Sequence, residues 1–266
     1  MQWSDSHLQR YRAEGFLFLE SYFSDHEVRV LKEQALVLSE QDPPGIVRER
    51  DTGLVRALHG CHLTNATFDR LTRLPKMLGP VEQALEGQVY VYQFKINFKM
   101  AFGGDVWKWH QDFIYWLKED GMPSSSCMNV LIFLDDVNEF NGPLLLIPRS
   151  HHHGLIEVRM STGNGAGDWR ESFSVDLKYA LDKGTIARLV EESSIVAPKG
   201  PRGSVLFFHP NLVHGSAPNI SPFDRTVLIV TYNHVGNVPA ATARPRPEFI
   251  VSRDSRPAIA LAENSL

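Results

Sequence analysis

His110 and Asp112, one residue apart in the stretch WHQDFIYW, are the first side chains in this sequence whose types suit a metal ion. In an extended segment alternate residues project from one face, so the two would point together while Gln111 points away. An imidazole and a carboxylate need one more imidazole to complete the facial arrangement that binds non-haem Fe(II) and leaves the opposite coordination positions open. His214, which follows the apolar segment VLFF in FFHPNLVHGSAPNISPFDRT, can supply it. Arg225 then stands at the head of another apolar run, RTVLIVTYN. With a short turn between the two, its guanidinium fork would lie near His214 and receive a carboxylate bound beside the metal. An isolated H-x-D is equally a polar pair caught in a packed strand. The ordered set of H-x-D, distant His and following Arg in a strand-rich body is far more specific.

Other residues compete for the same roles. His151, His152 and His153 form a His tract, but they sit between PRS and Gly154, which reads as an exposed turn. Spacing does not decide whether His59, His62 and His234 are core or pocket histidines. Among the aromatics of the opening stretch, Trp116 shares the parity of His110 and Asp112, which makes it the pocket wall if the strand runs that far.

These groups need a scaffold of strands. From VYVYQFKINFKM onward the apolar pattern has period two, and MNVLIFLDDV, GPLLLIPRS, GSVLFFHP and TVLIVTYNHV continue it between Gly, Pro, Asn and Asp. Short strands with turn chemistry between them predict a mainly β fold, a sandwich or jelly roll. The first third reads as helical. Ser24 and Glu27 form a capping box ahead of Val28, Leu31, Ala35 and Leu38, and a second helix runs through ATFDRLTRLPKMLGPVEQALEG, interrupted near Pro75 and Pro80. The Gly-rich, aperiodic stretch from Arg159 to Asp176 reads as a mobile loop or lid.

A length of 266 residues suits one domain over 1–266, because all-β sandwiches and barrels reach this size around one core. With 43% hydrophobic and 22% charged residues and a formal net charge of −4, the chain lacks the basic excess that holds a phosphate backbone, so nucleic acid is not an expected partner. No apolar run approaches the roughly 20 residues that span a bilayer, and the start, MQWSDSHLQRYRAEG, is polar. The expectation is a cytoplasmic protein without a membrane partner. Cys61 and Cys127 lack a C-x-x-C spacing and read as reduced, partly buried thiols.

The segments FKINFKMAFGGDVWKWHQDFIYWLKEDGMP, FLDDVNEFNGPLLLIPRSH and HGSAPNISPFDRTVLIVTYN together resemble the phytanoyl-CoA dioxygenase-like group of Fe(II)- and 2-oxoglutarate-dependent oxygenases. Within that group the chain resembles ectoine hydroxylase and, more closely and over nearly its whole length, the bacterial free L-leucine hydroxylases. The resemblance implies a double-stranded β-helix, a cupin-like jelly roll with supporting helices. It implies that His110, Asp112 and His214 hold Fe(II), that Arg225 binds the distal carboxylate of 2-oxoglutarate with Ser216 alongside, and that Gln93, Asn97 and Asn129 line the cosubstrate or metal pocket. By the same resemblance Arg246, in RPRPEF, holds a substrate carboxylate, and Trp116 and Phe208 form pocket walls. The chain departs from ectoine hydroxylase at Phe113, where that group has a smaller polar residue.

The implied reaction uses O2 as well, releases succinate and CO2, and hydroxylates an unactivated C–H bond of a small molecule. Asp112 matters here, because related halogenases replace this carboxylate by a small residue so that chloride can bind the iron. A free aliphatic L-amino acid, leucine-like, is the expected substrate, and Asp168 is a conceivable partner for its amino group. Another small carboxylate-bearing substrate or modified amino acid is the alternative, with a cupin-like metal protein that does not use 2-oxoglutarate and a silent metal-binding protein as readings from other classes.

Overall fold

The computed structural model describes residues 2–158, Trp169 and residues 177–266. The expected loop from Arg159 to Asp176, Asp168 included, lies outside the described residues except for Trp169.

Sixteen helices and strands are labelled in chain order. They are α1 (Asp5–Glu14), β1 (Phe16–Leu19), α2 (Asp25–Glu40), β2 (Ile46–Arg48), β3 (Val55–His59), α3 (Ala66–Thr72), α4 (Pro75–Leu85) and β4 (Val89–Lys99). After these come β5 (Trp107–His110), α5 (Phe113–Asp120), β6 (Cys127–Phe133), β7 (Leu144–Leu146), α6 (Lys183–Glu192), β8 (Val205–Phe208), β9 (His214–Ser216) and β10 (Arg225–His234). One sheet has seven strands in the order β1-β8-β6-β10-β4-β3-β2, and a second has three in the order β5-β9-β7, with every pairing antiparallel. This is the mainly β, jelly-roll architecture expected, with helices in support.

Strand alternation divides the seven-stranded sheet into two faces. Phe94, Ile96 and Phe98 of β4, Val130 and Ile132 of β6, and Leu228 and Val230 of β10 join the core packed against α1 to α4. Their odd-numbered neighbours Gln93, Lys95, Asn97, Leu131, Val227 and Ile229 face a cavity instead. A bulge adjusts this pattern where it matters. On β10, Thr231 pairs with Gln93 and Tyr232 with Val91, so Tyr92 is the extra residue. Before the bulge Tyr90 and Tyr92 lie with the aromatic cluster around Trp116, and after it Gln93 turns the same way. A one-residue slip therefore puts two consecutive side chains on the site face.

The helices follow local chemistry. Ser24 and Glu27 make the predicted capping box, and Glu27 also receives the Lys76 ammonium at 2.6 Å. The predicted second helix is in fact two, parted before Pro75, which starts α4. Pro80 stays inside α4. It has no N–H for the Lys76 carbonyl four residues back, and the Tyr22 hydroxyl donates to that carbonyl at 2.9 Å. The histidine tract is a 3-10 turn whose His151 and His152 rings bond the Arg12 and Ala13 carbonyls at the end of α1. Both cysteines are free and buried. Among the described residues no helix is long and apolar enough to cross a membrane.

Two expectations need correction. The first third is not purely helical, because β1, β2 and β3 lie in it as members of the large sheet. And the strand of WHQDFIYW stops at His110, with α5 starting at Phe113.

Candidate active site

His110 closes β5 directly opposite His214 of β9, because the β5–β9 pairing shifts register between Trp107 and His110. The two rings lie 4.2 Å apart between centroids. Asp112 caps α5 in helical backbone conformation, φ −67° and ψ −38°, so its carboxylate reaches the imidazoles from a strand-to-helix corner rather than by strand alternation. His110 Nε2 is 3.7 Å from Asp112 Oδ1, and His214 Nε2 is 3.9 Å from Oδ2. All three residues are buried, and their ligand atoms lie within 4.8 Å of one another. Atoms that each bind one ion at about 2 Å are separated by roughly 3 to 4 Å, so this donor set fits one metal.

Tautomers are fixed locally. Each ring places Nδ1 on the carbonyl two residues back, His110 on Lys108 at 2.6 Å and His214 on Leu212 at 2.9 Å. A carbonyl only accepts, so Nδ1 carries the proton and Nε2 offers its lone pair toward Asp112. Burial, with His214 as neighbour, pushes His110 down to about 3, and burial holds His214 below the ordinary imidazole value. Both rings are therefore neutral at pH 7, as a metal requires. Burial opposes the charge of Asp112, but Lys95, both imidazoles and Asn129 together keep its carboxyl below the usual value. Asn129 donates to Asp112 Oδ2 at 2.8 Å while accepting from Thr231 at 2.6 Å. It is fully buried and reaches the site through Asp112.

The other expected residues converge on this corner. Gln93, Asn97, Trp116, Phe208, Ser216, Arg225 and Arg246 line one cavity with the three ligands. Trp116 arrives by a different route from the one expected: it stands one helical turn after Asp112 in α5, and helices bring i and i+4 to one face. Phe208 sets its ring edge-on to His214 at 5.3 Å. Two buried polar atoms in the cavity wall, Gln93 Nε2 and Arg225 Nε, have no hydrogen-bond partner, which suits a site shaped for a polar ligand. Of the histidines that spacing left undecided, His62 stacks on Phe94 at 5.2 Å and His59 meets the Trp169 ring edge-on at 5.9 Å. His234 accepts from the Gly236 N–H at 2.9 Å.

Arg246 is less open than expected. Its Nε donates to Asp120 Oδ1 at 2.7 Å and its Nη2 to Oδ2, while the Tyr92 hydroxyl donates to the same carboxylate at 2.5 Å. Burial works against the guanidinium charge, and Asp120 more than offsets it. Among the described residues its Nη1 makes no hydrogen bond.

Sequence reasoning missed Lys95, Lys99 and Asp120. Lys95 lines the cavity with its ammonium 3.9 Å from Asp112 Oδ1. Lys99 is buried beside Arg225, its register partner across β4 and β10, and donates to Ser216 at 2.8 Å. Both continue the period-two series that begins at Gln93 and Asn97, so strand parity could have found them. Nothing local marks Asp120.

Comparison with known proteins agrees with this construction. The family model described as phytanoyl-CoA dioxygenase (PhyH) matches residues 11–227. L-proline trans-4-hydroxylase of Streptomyces griseoviridis is 43% identical over 94% of this chain and 93% of its own. Ectoine dioxygenase of Stutzerimonas stutzeri is 34% identical over 93% of this chain and 83% of its own. The crystal structure of EctD from S. alaskensis with 2-oxoglutarate and 5-hydroxyectoine superposes with a TM-score of 0.80 at 28% identity, covering 99% of this chain and 87% of that one. Its form with bound Fe gives 0.80 at 29% identity, over 97% and 87%. The chain belongs to the phytanoyl-CoA dioxygenase family and is a dioxygenase that uses iron and 2-oxoglutarate.

Proposed function

We propose that this enzyme hydroxylates an unactivated C–H bond of a free aliphatic L-amino acid, with leucine as the first choice. When bound, iron together with 2-oxoglutarate and O2 supplies the oxidant that places one oxygen atom in the C–H bond and yields succinate and CO2. Every other task falls to the chain. His110, Asp112 and His214 hold the metal on one face and leave the other for ligands. Asn129 keeps the Asp112 carboxylate oriented. Arg225 and Ser216 receive the distal carboxylate of 2-oxoglutarate, with Gln93 and Asn97 along the wall between them and the substrate.

At the substrate end, Arg246 and Lys95 supply positive charge for the amino-acid carboxylate. Trp116, Phe208, Leu177 and Ile229 supply apolar surface for its side chain and exclude water. Holding one carbon near the metal, rather than activating it, is what decides where the oxygen goes.

The observation that carries this reading is the order of groups along β4. Tyr92 reaches Asp120 and through it Arg246, Lys95 faces Asp112, and Lys99 faces Arg225 and Ser216. A strand rises about 3.3 Å per residue, so two cationic stations flank the metal ligands along some 20 Å of β4, one for each of two small acids.

A second reading has its own support. The 43% identity to an L-proline trans-4-hydroxylase favours proline, a cyclic aliphatic amino acid of similar polarity. The test is anaerobic loading with Fe(II) and 2-oxoglutarate, then O2 with a panel of free L-amino acids, followed by mass. Gain of one oxygen atom on leucine supports the first reading, and gain on proline alone the second. Oxidation of neither these nor any other free amino acid rejects both. Arg246→Ala should raise the KM for the amino acid far more than it lowers kcat, with 2-oxoglutarate binding unchanged.

A further inference from the structure

We propose that Lys99 is a positioning residue: it sets the Ser216 hydroxyl so that its proton is presented to the distal carboxylate of the cosubstrate, making the Lys99–Ser216 pair a selector for 2-oxo acids that carry that carboxylate. The inference rests on the reading that Arg225 and Ser216 receive this group. Lys99 is 2% exposed, and its Nζ lies 2.8 Å from the Asp105 carbonyl, 2.8 Å from Ser216 Oγ and 2.5 Å from the Ala217 carbonyl. An ammonium has three N–H groups, and all three are spent on the protein. Lys99 therefore has none for a ligand and acts only through its partners. Since Lys99 fills an acceptor position on Ser216 Oγ, the Ser216 proton must aim elsewhere. Among the described residues Ser216 makes no other side-chain hydrogen bond, and it lines the cavity.

The surrounding charges ask for an anion. Lys99 and Arg225 are direct cross-strand partners on β4 and β10, a pairing that like charges normally destabilise. Arg225 Nε is buried without a partner. The other charged groups facing this corner are committed. Arg56 of β3 is ion-paired to Glu49 at 2.9 Å and stacked on Trp107, Asp105 accepts from the Val106 N–H, and Asp135 takes Lys32 and the Thr226 N–H. Among the described residues no carboxylate bridges Lys99 and Arg225. One carboxylate from the cosubstrate does so.

The same geometry makes binding sensitive to the proton on Lys99. Burial, then Arg225 and Arg56, push its ammonium down to about 6. A neutral amine keeps two N–H groups for the two carbonyls and turns its lone pair on Ser216, which reverses that bond and draws the hydroxyl away from the cavity. A carboxylate beside Arg225 and Ser216 restores the ammonium, so 2-oxoglutarate binding takes up a proton. Its affinity is greatest below about pH 6 and falls as pH rises from there toward the higher value that Lys99 has in the complex.

The test uses the intact enzyme with Fe(II) under anaerobic conditions and reads the dissociation constant from the charge-transfer absorbance of the bound 2-oxo acid, without turnover. Lys99→Met should weaken 2-oxoglutarate binding by about tenfold or more, the worth of one hydrogen bond to a charged group. It should leave 2-oxopentanoate, which lacks the distal carboxylate, within about twofold, and should flatten the pH dependence. Ser216→Ala should cost about as much, and the double variant no more than either single one. Retained 2-oxopentanoate binding shows that the variant folds, and Lys99→Gln repeats the comparison if the methionine variant does not. Equal weakening of both 2-oxo acids, or full additivity with Ser216→Ala, overturns the proposal. If Ser216→Ala and Arg225→Gln weaken 2-oxoglutarate binding while Lys99→Met does not, only the Lys99 proposal falls. If none of the three does, the placement of the carboxylate itself is wrong.

Discussion

The two ends of the cavity are built differently. At the proposed cosubstrate end, Lys99, Ser216 and Arg225 stand on β4, β9 and β10, where register fixes each backbone and neighbouring strands lock the side chains. At the proposed substrate end, Arg246 comes from the chain after β10 and is held by Asp120 at the last residue of α5, whose carboxylate also accepts from Tyr92 at a bulge. A sheet-built site is hard to vary, because one altered strand disturbs its neighbours. A site assembled from a helix end and a returning segment can change shape without touching the metal. This difference matches a division of labour in which one end serves a reaction shared by the family and the other selects the substrate.

The largest expected effect is at the junction of the two ends. Asp112→Ala removes a metal ligand and should abolish both stoichiometric iron binding and product formation, measured by iron content after desalting and by product mass. Asp120→Asn strikes the substrate end alone. Breaking a buried ion pair costs about 3 to 5 kcal/mol, so thermal unfolding should shift down markedly. The amino-acid KM should rise with it, while 2-oxoglutarate affinity holds. Equal damage to both affinities would erase the distinction between the ends.

Much of the site was legible in the sequence. His110, Asp112, His214 and Arg225 stand out because metal and carboxylate binding would demand those residue types, and the apolar strands beside His214 and Arg225 brought those two together. Asp112 and Trp116 were brought to the site by the wrong route. FIYWLKED carries aromatic and β-branched residues that read as strand, whereas the chain turns into a helix at Asp112 and leaves it at Gly121, whose φ of 74° suits glycine. Only that Gly hinted at a helix end. The pairing of Asp120 with Arg246 joins residues far apart in the chain, and the bulge at Tyr92 inverts a parity that looks continuous. Both are tertiary facts that no local pattern encodes.

Smaller effects sharpen the comparison. Asn129→Ala loosens the Asp112 carboxylate and should weaken iron affinity by about 10- to 100-fold in a competition titration, with amino-acid affinity at saturating iron nearly unchanged. Trp116→Phe trims the pocket wall within the same helix turn. Lost buried volume lowers folding stability, and the change should shift the ratio of hydroxylated products without altering iron binding.

The most direct measurement is the joint stoichiometry of succinate and hydroxylated amino acid when the iron-loaded enzyme meets O2, 2-oxoglutarate and either leucine or proline. One succinate for each oxygen atom gained, with no product when 2-oxoglutarate is omitted, is the predicted result. Product that forms without 2-oxoglutarate, or succinate release that no free amino acid stimulates, would contradict it.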